Sequence, residues 1–337
     1  MNIFKDFTEG KKNIFMPLTV NIDPSNDCNF CCKFCPTGHP NLLQDVCRPR
    51  GLMELSLFKK IIDDIKGFAE PIQRLHLYND GEPLLNPNFV EMVKYAKDSD
   101  VAQSLETTTN AHLLSTDIAY ELVKAGLDRI RISVKHISTE GYHKTTGANV
   151  KFKNIVENVR TLHSIAKNSG NVPFINVTIV DTGLNEEEKA KFLKVFQDIS
   201  NGIRFDTLMG WSRNDLFDFS LGTRPLSEVK MNTICPLPFQ NISIKFNGEV
   251  SSCYVDWTHS NIIGDVKSEN LLDIWNGERA NAFRRAQLEN ENHSSVACVT
   301  CDYVNGLSQT SDFDAARSEL KEIYKDKQYP KTGGLSI

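Results

Sequence analysis

The cysteines of this 337-residue chain fall into two groups, and this grouping constrains the fold more than any other feature. Five of the nine cysteines lie between Cys28 and Cys47, the other four lie between Cys235 and Cys301, and none lies in between. Free cysteines that serve as small apolar core residues would not be bunched in this way. Grouped thiols in a reducing compartment instead indicate metal or redox chemistry. The sequence therefore predicts two separate thiolate sites.

The long segment between the two groups alternates short apolar runs with longer amphipathic ones. Strands are predicted over 18–23, 73–78, 102–107, 129–134, 173–180 and 203–208, and helices over 56–68, 88–98, 115–125, 151–167 and 185–199. Such alternation favours an α/β fold in which crossover helices connect parallel strands. Six units are too few for an eight-stranded barrel but fit a partial (β/α)6 TIM barrel. Its site would lie at the carboxyl ends of the strands.

The pattern changes after about Gly222. Residues 242–253 predict a β-hairpin with a two-residue Asn247-Gly248 turn, and a helix is expected over 271–286. Another amphipathic helix is predicted within 312–327. We therefore expect a barrel over 14–222, a small hairpin-plus-helix domain over 223–310, and a C-terminal helix and tail over 311–337.

Composition excludes several classes of protein. A formal net charge of −5 argues against a nucleic-acid-binding surface. Charged residues interrupt the first 15 positions, and no apolar run has the roughly 18 residues that a membrane helix needs. We expect a cytoplasmic protein without nucleic-acid or membrane partners.

The first cysteine group follows the first predicted strand directly. Cys28, Cys32 and Cys35 give a C-x3-C-x2-C spacing. Three thiolates on one loop can hold three corners of a [4Fe–4S] cluster and leave one iron open for another ligand. A zinc site is the alternative, with His39 as its fourth ligand.

With Phe34 at the aromatic position, this segment resembles the C-x3-C-x-aromatic-C motif of the radical S-adenosylmethionine (SAM) superfamily. The resemblance implies that SAM binds the open iron and is cleaved to a 5′-deoxyadenosyl radical, which abstracts a substrate hydrogen. It also implies the partial barrel, and an electron donor such as flavodoxin or ferredoxin.

Further segments are similar to SAM-contacting segments of the family. Asp80-Gly81-Glu82 corresponds to the Gly-Gly-Glu segment that holds the SAM amino group, with Asp80 in place of the first Gly. Thr109-Asn110 is similar to the family's T-N-G/A segment, and Ser133 falls where a serine contacts the ribose. The SAM-binding residues implied in this way, together with Asn176 from the inward face of its strand, are Phe34, Asp80, Gly81, Glu82, Thr109, Asn110, Ser133 and Asn176.

The second group consists of Cys235, Cys253, Cys298 and Cys301. Four thiolates suit a fully ligated iron–sulfur cluster or a structural zinc ion. Their surroundings resemble the auxiliary-cluster domains called SPASM and twitch, and a count of four is typical of twitch. The resemblance therefore implies one auxiliary [4Fe–4S] cluster. The spacings are also similar to those of twitch-type dehydrogenases that oxidise a secondary alcohol of the aminocyclitol 2-deoxy-scyllo-inosamine.

These observations favour a radical SAM oxidoreductase that acts on a small alcohol such as a sugar, polyol or aminocyclitol. Arg213, after the sixth strand, is the candidate for positioning substrate, unless it forms a surface or interdomain ion pair. Lys135 and His136 end the fourth strand and are candidate bases, and Cys47 would be a hydrogen-atom donor in an epimerase. Arg48 and Arg50 are expected to be solvated loop charges.

Two alternatives remain open from the sequence. A radical SAM maturase would form thioether or C–C crosslinks in a peptide or protein, or epimerise its residues. Only about 17 residues precede the first strand, where such maturases usually carry a recognition domain, so a small-molecule substrate is the stronger expectation. A structural zinc-binding protein with two thiolate sites is the alternative from another class.

Overall fold

The computed structural model describes residues 14–169, 173–208, 210–213, 215–219, 234–289, 295–301, 303 and 313–325. Nine strands form one sheet: β1 (Thr19–Ile22), β2 (Ile72–Leu77), β3 (Ala102–Thr109), β4 (Arg129–Val134), β5 (Phe174–Asp181), β6 (Gly202–Thr207), β7 (Asn241–Ile244), β8 (Glu249–Ser251) and β9 (Ile262–Asp265). Their order is β6-β5-β4-β3-β2-β1-β7-β8-β9. Strands β1 to β6 are parallel and neighbour one another in chain order, which is the arrangement that the six predicted units require.

Helices separate the parallel strands, as crossover connections must. The α-helices are α1 (Pro40–Asp45), α2 (Leu55–Lys66), α3 (Phe89–Asp98), α4 (Thr116–Lys124), α5 (Thr139–Thr146), α6 (Phe152–Ser169), α7 (Glu186–Phe196), α8 (Leu237–Gln240), α9 (Leu271–Asn276), α10 (Glu278–Leu288) and α11 (Arg317–Tyr324). Short 3₁₀ turns lie at Pro36–Gly38 and Pro83–Leu85. None of the described helices is long and apolar enough to cross a membrane.

The two faces of the parallel sheet have opposite chemistry. On β5, Ile175, Val177 and Ile179 are buried in the main core that the sheet forms with its helices, and Asn176 and Thr178 face the other side, as the alternation predicts. The same alternation places the polar residues of β2, β3, β4 and β6 on the inner face. The sheet therefore encloses a polar lumen inside an apolar shell.

The hairpin of the C-terminal part continues this same sheet. Strand β7 pairs in parallel with β1, with Thr19 opposite Asn241, and β8 and β9 follow antiparallel. The predicted two-residue turn is wrong: Lys245 N–H donates to Glu249 O, which leaves the three-residue loop 246–248. Gly248 has φ +92°, the left-handed backbone that ends such three-residue hairpins. Through β7, the second half of the chain packs directly on the barrel's first strand.

Other boundaries differ from the sequence-based expectations. The predicted helix 271–286 is two helices, α9 and α10, because Gly277 between them has an extended backbone with ψ 164°. A Cβ at Gly277 would lie 2.8 Å from Asp273 O. Of the helix predicted within 312–327, the described residues form α11 alone. Within those residues β6 is followed by turns up to Phe219, and the predicted boundary at 222 lies outside them.

Candidate active site

The loop that carries the first three cysteines leaves the carboxyl end of β1. Its backbone is fixed by α5, an element that the sequence analysis missed: Cys31 N–H donates to Thr146 O at 2.8 Å and Lys33 N–H to Thr145 O at 3.1 Å. A Cβ at Gly38 would lie 2.2 Å from Cys32 O, so the loop closes tightly on itself. This packing holds the three thiols in a fixed arrangement.

Cys32 is buried, Cys28 and Cys35 are partly buried, and the three thiols interact electrostatically. Burial, and to a smaller extent the neighbouring thiols and Glu82, raises the pKa of Cys28 to about 12. Burial likewise raises the pKa of Cys32 to about 12, although the Lys135 ammonium opposes the shift. Ionising such a group at neutral pH needs additional positive charge, which iron supplies. The donor set therefore fits an iron–sulfur cluster.

The zinc alternative has less support here. His39, the expected fourth ligand, bonds through Nε2 to Lys33 O at 2.9 Å and packs against Phe217 with ring centroids 4.4 Å apart.

Glu82 connects the end of β2 to the end of β3. Its carboxylate accepts hydrogen bonds from Thr109 Oγ1 at 2.6 Å, from Asn110 N at 2.7 Å and from Leu84 N at 3.2 Å. Burial raises the pKa of Glu82, and these hydrogen bonds oppose the shift. Asn110 Nδ2 in turn donates to Asn29 Oδ1 on the cysteine loop at 2.8 Å. Glu82, Thr109 and Asn110 are therefore brought together beside the cysteines.

Gly81 permits the closest approach between the β2 end and the cysteine loop. A Cβ at this position would lie 2.4 Å from both Ser25 O and Asp27 O, so any other residue would push the two loops apart. The sequence resemblance required a glycine here, and the structure gives the steric reason.

The end of β4 adds a cation beside the cysteines. Lys135 Nζ donates to Ser133 Oγ at 2.6 Å and lies 5.8 Å from the centroid of the Phe34 ring. Its charge favours the ionised forms of Cys32, Cys35 and Glu82. Ser133, Phe34 and Lys135 are thus close together, and the ammonium is placed to balance thiolate charge.

Asp80 does not have the role expected from the resemblance. Its backbone N–H donates to Asp23 Oδ1 at 2.8 Å, and its carbonyl accepts from Thr37 Oγ1. Its carboxylate bonds to Lys245 Nζ at 2.9 Å and to His259 Nε2 at 3.1 Å. With its carboxylate and both backbone groups engaged inside the protein, the predicted contact with SAM is not supported.

Asp80 is instead the centre of a buried polar network between the barrel and the C-terminal region. Arg48, expected to be solvated, is buried and lies 4.0 Å from the Asp80 carboxylate. Burial disfavours ionisation of Asp80, but Lys245 and Arg48 outweigh it and hold its pKa below the usual range. Burial, and then the Asp80 charge, raises the pKa of Asp23 to about 8. No sequence signal identified Asp23, Lys245 or His259, because their contacts are long-range.

Two of the candidate catalytic residues point elsewhere. His136 Nδ1 lies 3.2 Å from Ser138 Oγ, the cap of α5, and its ring packs over Gly141, where a Cβ would lie 1.8 Å from Nδ1. Burial lowers the pKa of His136. This side chain packs at the start of α5, and its role as base stays a prediction. Cys47 is exposed after α1 with φ 52°, and no described contact joins it to the other cysteines.

Arg213 forms an ion pair, which the sequence analysis gave as the alternative to a contact with substrate. Its guanidinium contacts Asp215 at 3.0 Å, and this bond lowers the pKa of Asp215 to about 2. Asp215 N–H donates to Thr300 Oγ1 at 3.3 Å, between Cys298 and Cys301. Arg213 therefore helps to hold the segment after β6 against the second cysteine group, and its contact with substrate stays a prediction.

The four C-terminal cysteines share one buried region. Burial, and then the charges of Cys235, Cys301 and Cys298, raises the pKa of Cys253 well above its usual value. Burial does the same for Cys235, which also interacts with Cys301 and Cys298. The Cys253 thiol thus interacts with the other three thiols, which suits a fully ligated cluster for the same charge reason as at the first site.

Two tyrosines pack in one cluster with Cys235, Cys253 and Cys301. Tyr254 and Tyr303 are joined through their hydroxyls, with ring centroids 5.7 Å apart. Burial raises the pKa of Tyr303 to about 12, and Cys253 and Tyr78 add smaller contributions. Asn79 Nδ2, at the end of β2, donates to Tyr254 O at 3.0 Å. The pair therefore connects the auxiliary thiols with Tyr78 on the lumen wall.

The lumen itself holds a cavity of about 170 Å³. Its lining comes from β2 to β6 and includes Tyr78, Glu106, Arg129, Arg131, Asn176 and Arg204. Of these only Asn176 was singled out from the sequence, although the polar positions alternate regularly along each strand. Tyr78, directly after β2, forms part of the cavity wall.

Comparison with known proteins agrees with this geometry. The family model "Radical SAM superfamily" matches residues 22–196, and the model "Iron-sulfur cluster-binding domain" (SPASM) matches residues 235–302. The first match spans more than half of the chain, and each match contains one of the two cysteine groups completely.

Curated relatives are similar to this chain over most of its length. The chain is 24% identical to the "Tungsten-containing aldehyde ferredoxin oxidoreductase cofactor-modifying protein" of Pyrococcus furiosus, over 88% of this chain and 91% of that protein. It is 26% identical to "GTP 3′,8-cyclase" of Staphylococcus haemolyticus, over 70% of this chain and 66% of that enzyme.

Solved structures show the same fold. BtrN in complex with AdoMet and 2-DOIA aligns with a TM-score of 0.57 at 17% identity, covering 89% of this chain and 98% of that one. Streptococcus suis SuiB bound to precursor peptide SuiA aligns with a TM-score of 0.61 at 13% identity, covering 86% and 70%. The fold expected from the sequence, a partial (β/α)6 barrel followed by an auxiliary-cluster region, is confirmed. The chain belongs to the radical SAM superfamily, carries a SPASM iron–sulfur domain after its barrel, and has SAM and [4Fe–4S] clusters as its cofactors.

Proposed function

We propose that this radical SAM enzyme oxidises a secondary alcohol of a small molecule, with the auxiliary cluster as electron acceptor. The observation that carries the proposal is the Tyr254–Tyr303 pair, which packs in one cluster with Cys235 and Cys253 and interacts electrostatically with Tyr78 on the cavity wall. A substrate in the lumen would thus be close to the second cysteine group as well as to the first.

The cluster ligands follow from the two thiol groups. Cys28, Cys32 and Cys35 would hold the cluster that binds SAM, and the other four cysteines would hold the auxiliary cluster. When bound, these groups supply a 5′-deoxyadenosyl radical at one site and a one-electron acceptor at the other. The alcohol carbon would lose a hydrogen atom to the 5′-deoxyadenosyl radical, which becomes 5′-deoxyadenosine, and the remaining substrate radical would lose one electron to the auxiliary cluster and its hydroxyl proton to give a ketone.

The surrounding residues position the SAM-binding loop. Glu82, fixed between Thr109 and Asn110, presents a buried carboxylate where the SAM ammonium is expected. Lys135 balances negative charge next to Cys32 and Cys35 while bonded to Ser133, so we assign it a charge-balancing role in place of the base role. Gly81 keeps the loop after β2 in contact with the loop that carries the cysteines.

Cysteine substitutions in anaerobically reconstituted protein test the cluster assignments. Cys28→Ala should abolish reductive SAM cleavage. Cys253→Ala should retain cleavage but lose about half of the iron and the ability to oxidise an alcohol. Cys47→Ala is the matched control and should keep full iron content. If Cys253→Ala kept full iron content, the auxiliary-cluster assignment would be wrong.

Deuterium labelling tests the reaction. Candidate polyols, sugars and aminocyclitols that carry deuterium on the carbinol carbon should transfer it to 5′-deoxyadenosine, with one ketone formed per SAM consumed. Transfer without ketone formation would contradict the role of the second cluster as acceptor.

A peptide or cofactor modifier is the second candidate. The similarity to a cofactor-modifying protein over 91% of that protein's length, and to SuiB bound to a peptide, supports it. The same labelling experiment separates the two functions, since a maturase would take deuterium from a labelled peptide and leave the small alcohols unchanged.

A further inference from the structure

We propose that the lumen cavity is an anion-binding subsite, which holds a carboxylate or phosphate group of the substrate through Arg131. The proposal deepens the proposed function and rests on it, because it takes the lumen as the substrate cavity. It names the substrate class as an alcohol that carries an acidic group.

The first argument is the charge of the cavity. Three arginines line it, Arg129, Arg131 and Arg204, and Glu106 is the carboxylate in its lining. Arg204 has its own partner in Asp206. Glu106 is shared between two arginines. Its carboxylate lies 3.9 Å from Arg129 and 3.7 Å from Arg74 on β2.

His76 adds no positive charge to the cavity. Burial, and then Arg74 and Arg131, lowers the pKa of His76 to about 3, so its ring is neutral at physiological pH. Its Nδ1 lies 2.9 Å from Asn21 Oδ1. The four arginines and two carboxylates at and next to this cavity therefore leave two positive charges in excess among these six side chains, which attracts an anion.

The second argument is the free hydrogen-bonding capacity of Arg131. Its Nε donates to Thr108 Oγ1 at 3.1 Å, and its guanidinium lies 5.5 Å from the centroid of the Tyr78 ring. These contacts fix the plane of the guanidinium. Among the residues that the structure describes, no carboxylate forms an ion pair with Arg131, so its terminal nitrogens remain available in the fork geometry that suits a carboxylate or phosphate.

The third argument is the position of Arg131 along its strand. Arg131 precedes Ser133 by two residues on β4 and faces the same side. Because a strand rises about 3.3 Å per residue, the Arg131 side chain branches from β4 about 7 Å before Ser133 at the SAM-binding end. An acidic group bound there would leave the rest of a small substrate directed toward the strand ends, where the hydrogen is removed.

Binding of three matched probes tests the inference. Reconstituted protein with SAM is titrated with glycerol 3-phosphate, glycerate and glycerol, which differ in carrying a phosphate, a carboxylate or no charge. We expect the charged probes to bind at least about tenfold more tightly than glycerol, and whichever of the two binds better identifies the acidic group. Arg131→Met should remove this preference, and Arg131→Lys should restore part of it.

A second measurement uses the unchanged protein, in case the variants fail to fold. Phenylglyoxal modifies accessible arginines, and the charged probe should protect Arg131 while leaving Arg160, a surface residue paired with Glu157, unprotected. Arg160→Met is the matched control and should bind the probes as the unchanged protein does. Equal binding of all three probes, or no protection of Arg131, would overturn the inference.

Failure of this inference is distinguishable from failure of the proposed function. Oxidation of a neutral alcohol without any preference for charged probes would overturn the anion subsite and leave the oxidation standing. Protection of Arg131 by glycerol 3-phosphate in a protein that oxidises no alcohol would do the reverse.

Discussion

The buried pair of Asp80 and Lys245 gives the sharpest test of how the two halves of the molecule are joined. Both side chains are at most 1% exposed, and their charged atoms are 2.9 Å apart. Replacing Lys245 with Met leaves the Asp80 carboxylate buried with His259 and a distant Arg48. Removing one partner of a buried ion pair typically costs about 3–5 kcal/mol of unfolding free energy, and we expect a loss in that range.

The reciprocal substitution should cost less. Asp80→Asn removes the charge that, after burial, does most to raise the pKa of Asp23. Asp23 can then ionise more easily and take over part of the pairing with Lys245. We expect a loss of about 1–3 kcal/mol for Asp80→Asn, and a double variant that loses less than the sum of the two.

Urea unfolding of the reconstituted protein, followed by tryptophan fluorescence, measures these differences. The exposed pair of Lys59 and Glu91, 2.7 Å apart with side chains 37% and 54% exposed, is the control. Lys59→Met should change the unfolding free energy by at most about 1 kcal/mol. An effect of Lys245→Met no larger than that of Lys59→Met, or strictly additive effects in the double variant, would refute the reasoning.

Three further outcomes are expected. Because the pKa of Asp23 is raised to about 8 in the fold, folding stabilises its protonated form, and stability should fall as pH rises from 7 to 8 by up to about 1.4 kcal/mol per unit; Asp23→Asn should flatten that slope in urea titrations at each pH. Glu82→Gln places an amide against the N–H of Asn110, so the KM for SAM should rise about tenfold or more in a cleavage assay, and an unchanged KM would argue against the carboxylate contact. Arg213→Met should alter unfolding by at most about 1 kcal/mol and leave SAM cleavage unchanged, whereas loss of substrate-stimulated cleavage would support its substrate role.

The sequence predicted those features that depend on local pattern. Each of the six parallel strands was identified to within two residues at either end, because buried β-strands leave a clear alternation of apolar and polar residues. Ser115 was expected to begin a helix and accepts a hydrogen bond from Ile118 N, and Asn185 caps α7. The break at Gly277 was missed because an isolated glycine does not by itself end a helical pattern.

The site residues show the same division between features that depend on local pattern and features that do not. The cysteine groups, Gly81, Glu82 and the Thr109-Asn110 segment belong to short motifs, and the structure brings the N-terminal set together. His136 and Arg213 were chosen from their position after a strand, but position does not fix the direction of a side chain. His136 points to the cap of α5, and Arg213 points to Asp215 beside the second cysteine group.

By itself, the sequence determined that this chain has two thiolate sites on a parallel α/β scaffold, because ligand spacing and hydrophobic periodicity are local properties of a chain. Only the tertiary structure decided which charges meet. Asp80 and Lys245 are 165 residues apart and pair because β7 lies next to β1, and Tyr254 reaches Tyr303 across 49 residues. Contacts of this kind depend on how the sheet is ordered, and burial away from water then gives them their strength.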